Sequence, residues 1–165
     1  MLTAEQKALV DECIYLRGRI ITAYSQVEFI LADISVILDL KFPYLINKRI
    51  AAAKAIAERP GYEIYRDELQ NVCDGLSEFD DIRVFMAHGW VSAEIDKTGN
   101  NIIEFLRYER LGDGQFQLMR GGTDVGRLRQ AAEDITQYCE NVLGLFRRIY
   151  AEKNLENEKT KRYST

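Results

Sequence analysis

One stripe of apolar residues constrains the whole chain. Val10, Cys13, Ile20, Tyr24, Val27, Leu31, Ile34 and Leu38 recur at helical spacing, with no break until the KFPY stretch at 41–44. A helix over residues 4 to 39 extends roughly 54 Å at 1.5 Å per residue. With a single apolar face it must lie against other long helices, and a bundle satisfies that need. TAEQ marks its start: Thr3 is a capping residue and Gln6 stands at the capping-box position. Pro43 ends the helix or lies just past its end.

Further elements follow by the same reading. NKRIAAAKAIAE is a shorter helix with Asn47 as its cap, an alanine face for close packing, and RPGY as its stop. A third long helix is predicted from about Glu63 to His88, with Gly89 where a left-handed C′ residue belongs. The period then changes from 3.6 to 2. WVSAEI, NIIEFLRYER and GQFQLMR read as strands, and DKTGN and LGDG as the turns between them. GGTDVG reads as a turn into the last helix, whose stripe is Val125, Leu128, Ala132, Ile135, Cys139, Val142, Phe146 and Ile149. The predicted fold is an all-α helical bundle of three long helices and one short one. A small three-stranded antiparallel β-meander, at about 90–120, is inserted before the last helix. Residues 1–155 form a single domain, and 156–165 a polar tail.

Composition narrows the function classes. At 165 residues, 47% hydrophobic and 29% charged, the chain suits one ordinary globular domain. A net charge of −4 argues against a broadly basic nucleic-acid coat, although a site's field is local and net charge is global. Cys13, Cys73 and Cys139 fall in helical apolar patterns and form no CxxC, as expected of reduced, buried thiols in a cytoplasmic protein. One histidine and three scattered cysteines suit no zinc site, so neither metal nor cofactor is expected. No uninterrupted apolar run reaches about eighteen residues, and the first residues lack an apolar signal core, so no membrane partner is expected.

The chemistry concentrates in DDIRVFMAHGW, which holds the only histidine, His88. On a wheel for the third helix, Leu69, Val72, Cys73, Leu76 and Ala87 share one stripe. Arg83 falls in its middle, and Asp80 lies one turn earlier on the same face. A guanidinium on a core-facing stripe is costly unless it is paired or opens onto a cleft or interface. Asp80, its i−3 neighbour, and Glu28, on the flank of the first stripe, are candidate partners. His88 is roughly 140° around an ideal helix from Arg83. The two converge if the helix ends at Gly89 and the long arginine reaches over. The negative end of the helix dipole also favours a cation there. Arginine can hold phosphate oxygens and stabilise developing charge, and histidine can move a proton near neutral pH. On RNA the 2′-hydroxyl is an internal nucleophile, so this pair is a sufficient minimal kit.

The segment RVFMAHG resembles the R-x4-6-H signature of the HEPN superfamily, in its form Arg-x-x-x-Ala-His-Gly. The resemblance implies a small helical domain acting as a homodimer, with the motif at the dimer axis. It implies a metal-independent endoribonuclease of toxin–antitoxin or phage-defence type that leaves 2′,3′-cyclic phosphate ends. Arg83 would then hold the scissile phosphate, His88 would be the acid or base, and Asp80 or Glu28 would support the arginine. RNA would be the substrate, and a cognate antitoxin a partner. Where many members carry a polar residue, often Asn, after the arginine, this chain has Val84. That residue and the acidic net charge favour the alternative, a non-catalytic dimeric scaffold or binding module in such a system.

Each residue also has a plainer role. His88 can cap carbonyls at a helix end, and Arg83 can be a structural ion pair. Trp90, Phe105, Tyr108 and Phe116 can stack bases or pack the sheet against the bundle. Arg147 and Arg148 can touch a nucleic-acid backbone or be solvated last-turn arginines. A ligand pocket between bundle and meander is a third reading, to which no single residue points.

Overall fold

Thr3 and Gln6 close a reciprocal capping box. The Thr3 amide donates to Gln6 Oε1 at 2.9 Å, and the Gln6 amide to Thr3 Oγ1 at 3.1 Å. In the computed structural model, which describes residues 3–40 and 45–156, helix α1 then runs Ala4–Ile37. It stops on Asp39, whose left-handed φ of 55° lets the Leu40 amide reach the Ser35 carbonyl at 2.7 Å. Pro43, the expected terminator, lies outside the described residues. Beyond half-buried Val10, every residue of the α1 stripe is buried.

Helix α2 is Ile46–Ala57. Its N-cap is Leu45, whose carbonyl accepts from the Lys48 and Arg49 amides, so Asn47 lies inside the helix and is not its cap. The third helix does not run unbroken from 63 to 88. A 3-10 turn at Glu63–Tyr65 leads into α3, Arg66–Glu78, and α4, Asp80–His88, follows a break at Phe79. With α5, Val125–Glu152, this makes five α-helices among the described residues, where three long and one short were predicted. The break has a tertiary cause. The Leu76 carbonyl, which residue 80 would use in a continuous helix, accepts the Tyr24 hydroxyl at 3.2 Å. The Phe79 ring turns onto Tyr138, with centroids 5.3 Å apart.

The meander forms as predicted and is longer than predicted. Strands β1 (Trp90–Ile95), β2 (Asn101–Arg110) and β3 (Phe116–Thr123) pair antiparallel in the order β1-β2-β3. The first two glycines of GGTDVG are strand, not turn: Gly121 pairs with Phe105 and Gly122 with Glu104, while Gly126 lies in the last helix. Asp124 then caps α5, accepting the Arg127 amide at 2.9 Å. Gly99 and Gly114, with φ of 85° and 86°, supply the left-handed residues of the two hairpin turns.

The described chain divides into two compact units, and α1 and α5 contribute to both. The first holds the chain up to Thr22 with Asp81–Thr136. Its core includes Leu16, Ile20, Met86, Ile103, Phe105, Leu128 and Ile135, and Phe85 of α4 packs on Phe105 of the sheet, centroids 6.4 Å apart. The second unit holds Ala23–Asp80 and the chain from Gln137. Val27, Leu31, Ile56, Leu76, Phe146 and Ile149 lie in its core.

By length and composition α1 is apolar enough to cross a bilayer, although charged residues interrupt its apolar run. Two of its carboxylates, Glu28 and Asp33, are engaged inside the second unit. Glu28 pairs with Arg49 of α2, and Asp33 accepts the Tyr150 hydroxyl at 2.6 Å. The three cysteines are buried and free, and burial pushes each thiol above its ordinary value, which leaves them poor nucleophiles.

Candidate functional site

Asp80, Arg83 and His88 lie on the short helix α4, whereas Glu28 of α1 and Arg147 and Arg148 of α5 lie in the second unit. Arg83 is half-buried in its middle turn, Met86 is buried, and His88, its last residue, is exposed. The helix stays regular through His88. Five residues of regular helix put roughly 140° between the directions of Arg83 and His88. Gly89 does not release the histidine by turning left-handed, as predicted. It is absent from the positive-φ residues, and its amide continues the helical pattern to the Phe85 carbonyl at 2.8 Å.

Glycine is required at 89 for a different reason. A Cβ there would stand 2.5 Å from the Phe85 oxygen and 3.4 Å from the Leu106 oxygen, both backbone atoms that cannot swing away. Absence of a side chain lets β2 close against the end of α4, one residue before Trp90 pairs with Leu106.

Two cations not singled out in the sequence also meet this helix. Arg17 of α1 donates through Nε to the Met86 carbonyl at 2.5 Å, capping an open end of α4. Arg107 of β2 lies over the Phe85 ring, 4.9 Å from its centroid, and its Nη2 reaches Glu109 at 3.3 Å. Arg107 Nε is buried and has no hydrogen-bond partner among the described residues. Three guanidinium groups and the only imidazole thus belong to one small part of an acidic chain. The sequence signal for Arg17 is slight, a cation beside Leu16 on the flank of the α1 stripe.

The proposed supports have other partners as well. Asp80 opens α4 one turn before Arg83, and its Oδ1 accepts the Tyr24 hydroxyl at 3.3 Å. Glu28 is held by Arg49. Of the four aromatics, Phe105 packs inward on Phe85, while Trp90, Tyr108 and Phe116 are about 70% exposed. Arg148 is engaged in the second unit, paired with Glu68 and 5.5 Å over the Tyr65 ring, whereas Arg147 is exposed. Among the described residues, no three of His, Cys, Asp and Glu come together as metal ligands. In comparisons with known proteins, no family model, no curated protein and no solved structure matches the chain.

Proposed function

We propose that the chain is a HEPN-like, metal-independent endoribonuclease of toxin–antitoxin or defence type, active in the cytoplasm as a homodimer. The observation that carries this reading is the solvent-exposed position of the only imidazole, at the end of a short helix that also bears a half-buried arginine. Within one protomer Arg83 and His88 leave α4 in different directions. The reading therefore requires two copies, with both α4 helices at a twofold axis and the four groups around one phosphate.

The steps balance without a co-reactant. Neutral His88 of one protomer takes the proton of a ribose 2′-hydroxyl, and the oxygen attacks the adjacent phosphorus. Arg83 neutralises the charge that grows on the non-bridging oxygens. The bond to the 5′-oxygen breaks, and protonated His88 of the second protomer supplies that oxygen with a proton. The products are a 2′,3′-cyclic phosphate and a 5′-hydroxyl. Arg17 and Arg107 add positive field nearby in a chain whose net charge is −4.

The experiment is RNA cleavage by the purified chain in the presence of a chelator. Wild-type protein cleaves, and His88→Ala loses roughly 10²- to 10⁴-fold, the usual share of one acid–base group. A wild-type protein as inert as the variant sinks the enzyme and favours the second reading, a non-catalytic dimeric scaffold. Val84, half-buried where a polar residue is common, is the specific observation on that side.

A further inference from the structure

We infer that the outer face of the β-sheet is a docking surface for a second copy of this chain, turned end for end. The register sets the face. Trp90, Leu106 and Arg120 stand in one cross-strand row, Tyr108 and Leu118 in the next, and Arg110 and Phe116 in the last. Toward the β1–β2 turn the rows are Ser92 with Glu104 and Gly122, then Glu94 with Ile102. Alternation along a strand puts all of these on one side, opposite Phe105 and α4. Trp90, Tyr108 and Phe116 are 70%, 72% and 69% exposed, and Ile102 and Leu118 are exposed beside them. A contiguous aromatic and aliphatic patch of this kind marks an interaction site.

Charge identifies the occupant. Glu94 and Glu104 stand at the end near the β1–β2 turn and, with Arg120 beside Glu104, line an open cavity of about 380 Å³. Arg110 stands at the opposite end, and Arg120 lies level with Trp90, 4.0 Å from Glu104. The face carries as many carboxylates as guanidinium groups, and it is polarised along the strands. A polyanion laid along it would run onto Glu94 and Glu104. A second copy rotated about an axis across the strands meets it with the acidic end over the Arg110 end and the aromatic rows stacked between.

The area sets the strength. β2 is 10 residues long, about 34 Å, and three strands span about 15 Å, so each copy covers roughly 500 Å². That is below the ~800 Å² per partner of a standard interface, so the contact is of the weak, transient class. The contact is separate from the twofold at α4, because α4 packs on the other side of the sheet. A chain using both interfaces assembles beyond a dimer.

Trp90 is the only tryptophan, so the wild-type chain reports on its own face. Raising its concentration through the micromolar range should shift the emission to shorter wavelength and reduce quenching by acrylamide, in step with sedimentation. Tyr108→Asp should weaken this association by at least roughly tenfold. Glu94→Arg and Arg110→Glu, both at exposed positions, should each weaken it, and the two together should restore it. The inference is overturned if Trp90 stays water-exposed at every concentration, whether or not the chain associates elsewhere. It is also overturned if the double exchange is no better than either single one, or if the shift appears only on adding a single-stranded oligonucleotide. RNA cleavage that survives Tyr108→Asp leaves the α4 reading standing while this one is judged on its own.

Discussion

The two units differ most in what they bury and what they leave in solvent. In the second, Tyr150 bonds Asp33, Tyr138 bonds the Val72 carbonyl at 2.8 Å, Tyr65 bonds Glu152, and Arg49 pairs with Glu28. Burial and the bond to Glu152 push the Tyr65 phenol up to about 12, and burial raises Tyr138 further. In the first unit the buried Arg107 Nε lacks a hydrogen-bond partner among the described residues, Tyr15, Trp90, Tyr108 and Phe116 stand largely in solvent, and the only imidazole is exposed, while the second unit exposes Phe29 and Ile64. Side chains whose local rules are satisfied hold a scaffold together. Departures from those rules collect where a chain meets something else. On the proposed reading the first unit, which carries Arg83 and His88, is the part that acts.

The sharpest break of this contrast is a cavity in the second unit. Phe146 is wholly buried there. Phe146→Ala should cost about 3–5 kcal/mol by chemical denaturation, since the transfer and cavity terms add. A loss under about 1 kcal/mol would mean that this unit is no more tightly packed than a surface.

In the first unit the corresponding lever is Gly89. Gly89→Ala presses a methyl against two backbone oxygens and should cost about 1–3 kcal/mol. It should also lower RNA cleavage on the proposed reading, although Arg83 and His88 are untouched, because the end of α4 must move. Cleavage at the wild-type rate in the destabilised variant would separate the histidine's position from the chemistry.

What could be read in the sequence follows the same division of causes. The α1 and α5 stripes, the Thr3–Gln6 box and the meander were legible because each is set by neighbours a few residues away. The break at Phe79 was not, because it depends on a tyrosine more than fifty residues distant taking the Leu76 carbonyl. That miss carried into the site. The wheel that set Arg83 on the stripe of Leu69 and Leu76 assumes one helix, and α4 is a separate one. Arg83 and His88 were identifiable by residue type, but not the orientation between them. Arg17 on the Met86 carbonyl and Arg107 on the Phe85 ring are contacts between distant elements with almost no local signature. Gly121 and Gly122 misled because their composition says turn while pairing with β2 makes them strand.

The smallest expected effect lies in the β1–β2 turn, where the first unit ties up one carboxylate as fully as any in the second. Asp96 Oδ1 accepts the Thr98 hydroxyl at 2.6 Å, the Thr98 amide at 2.7 Å and the Asn100 amide at 2.9 Å. These bonds, the hydroxyl's first, hold the carboxyl down to about 2 from an ordinary 3.8. A depressed folded value means that its contribution to stability is present above 3.8 and is lost as the pH falls through about 2. Asp96→Ala should therefore loosen the turn near neutral pH, seen as faster exchange of the Asn100 amide relative to its intrinsic rate, with the difference from wild type closing in strong acid. A carboxyl titration with its midpoint at the ordinary value would show that the turn is held by Gly99 and the strand ladder alone.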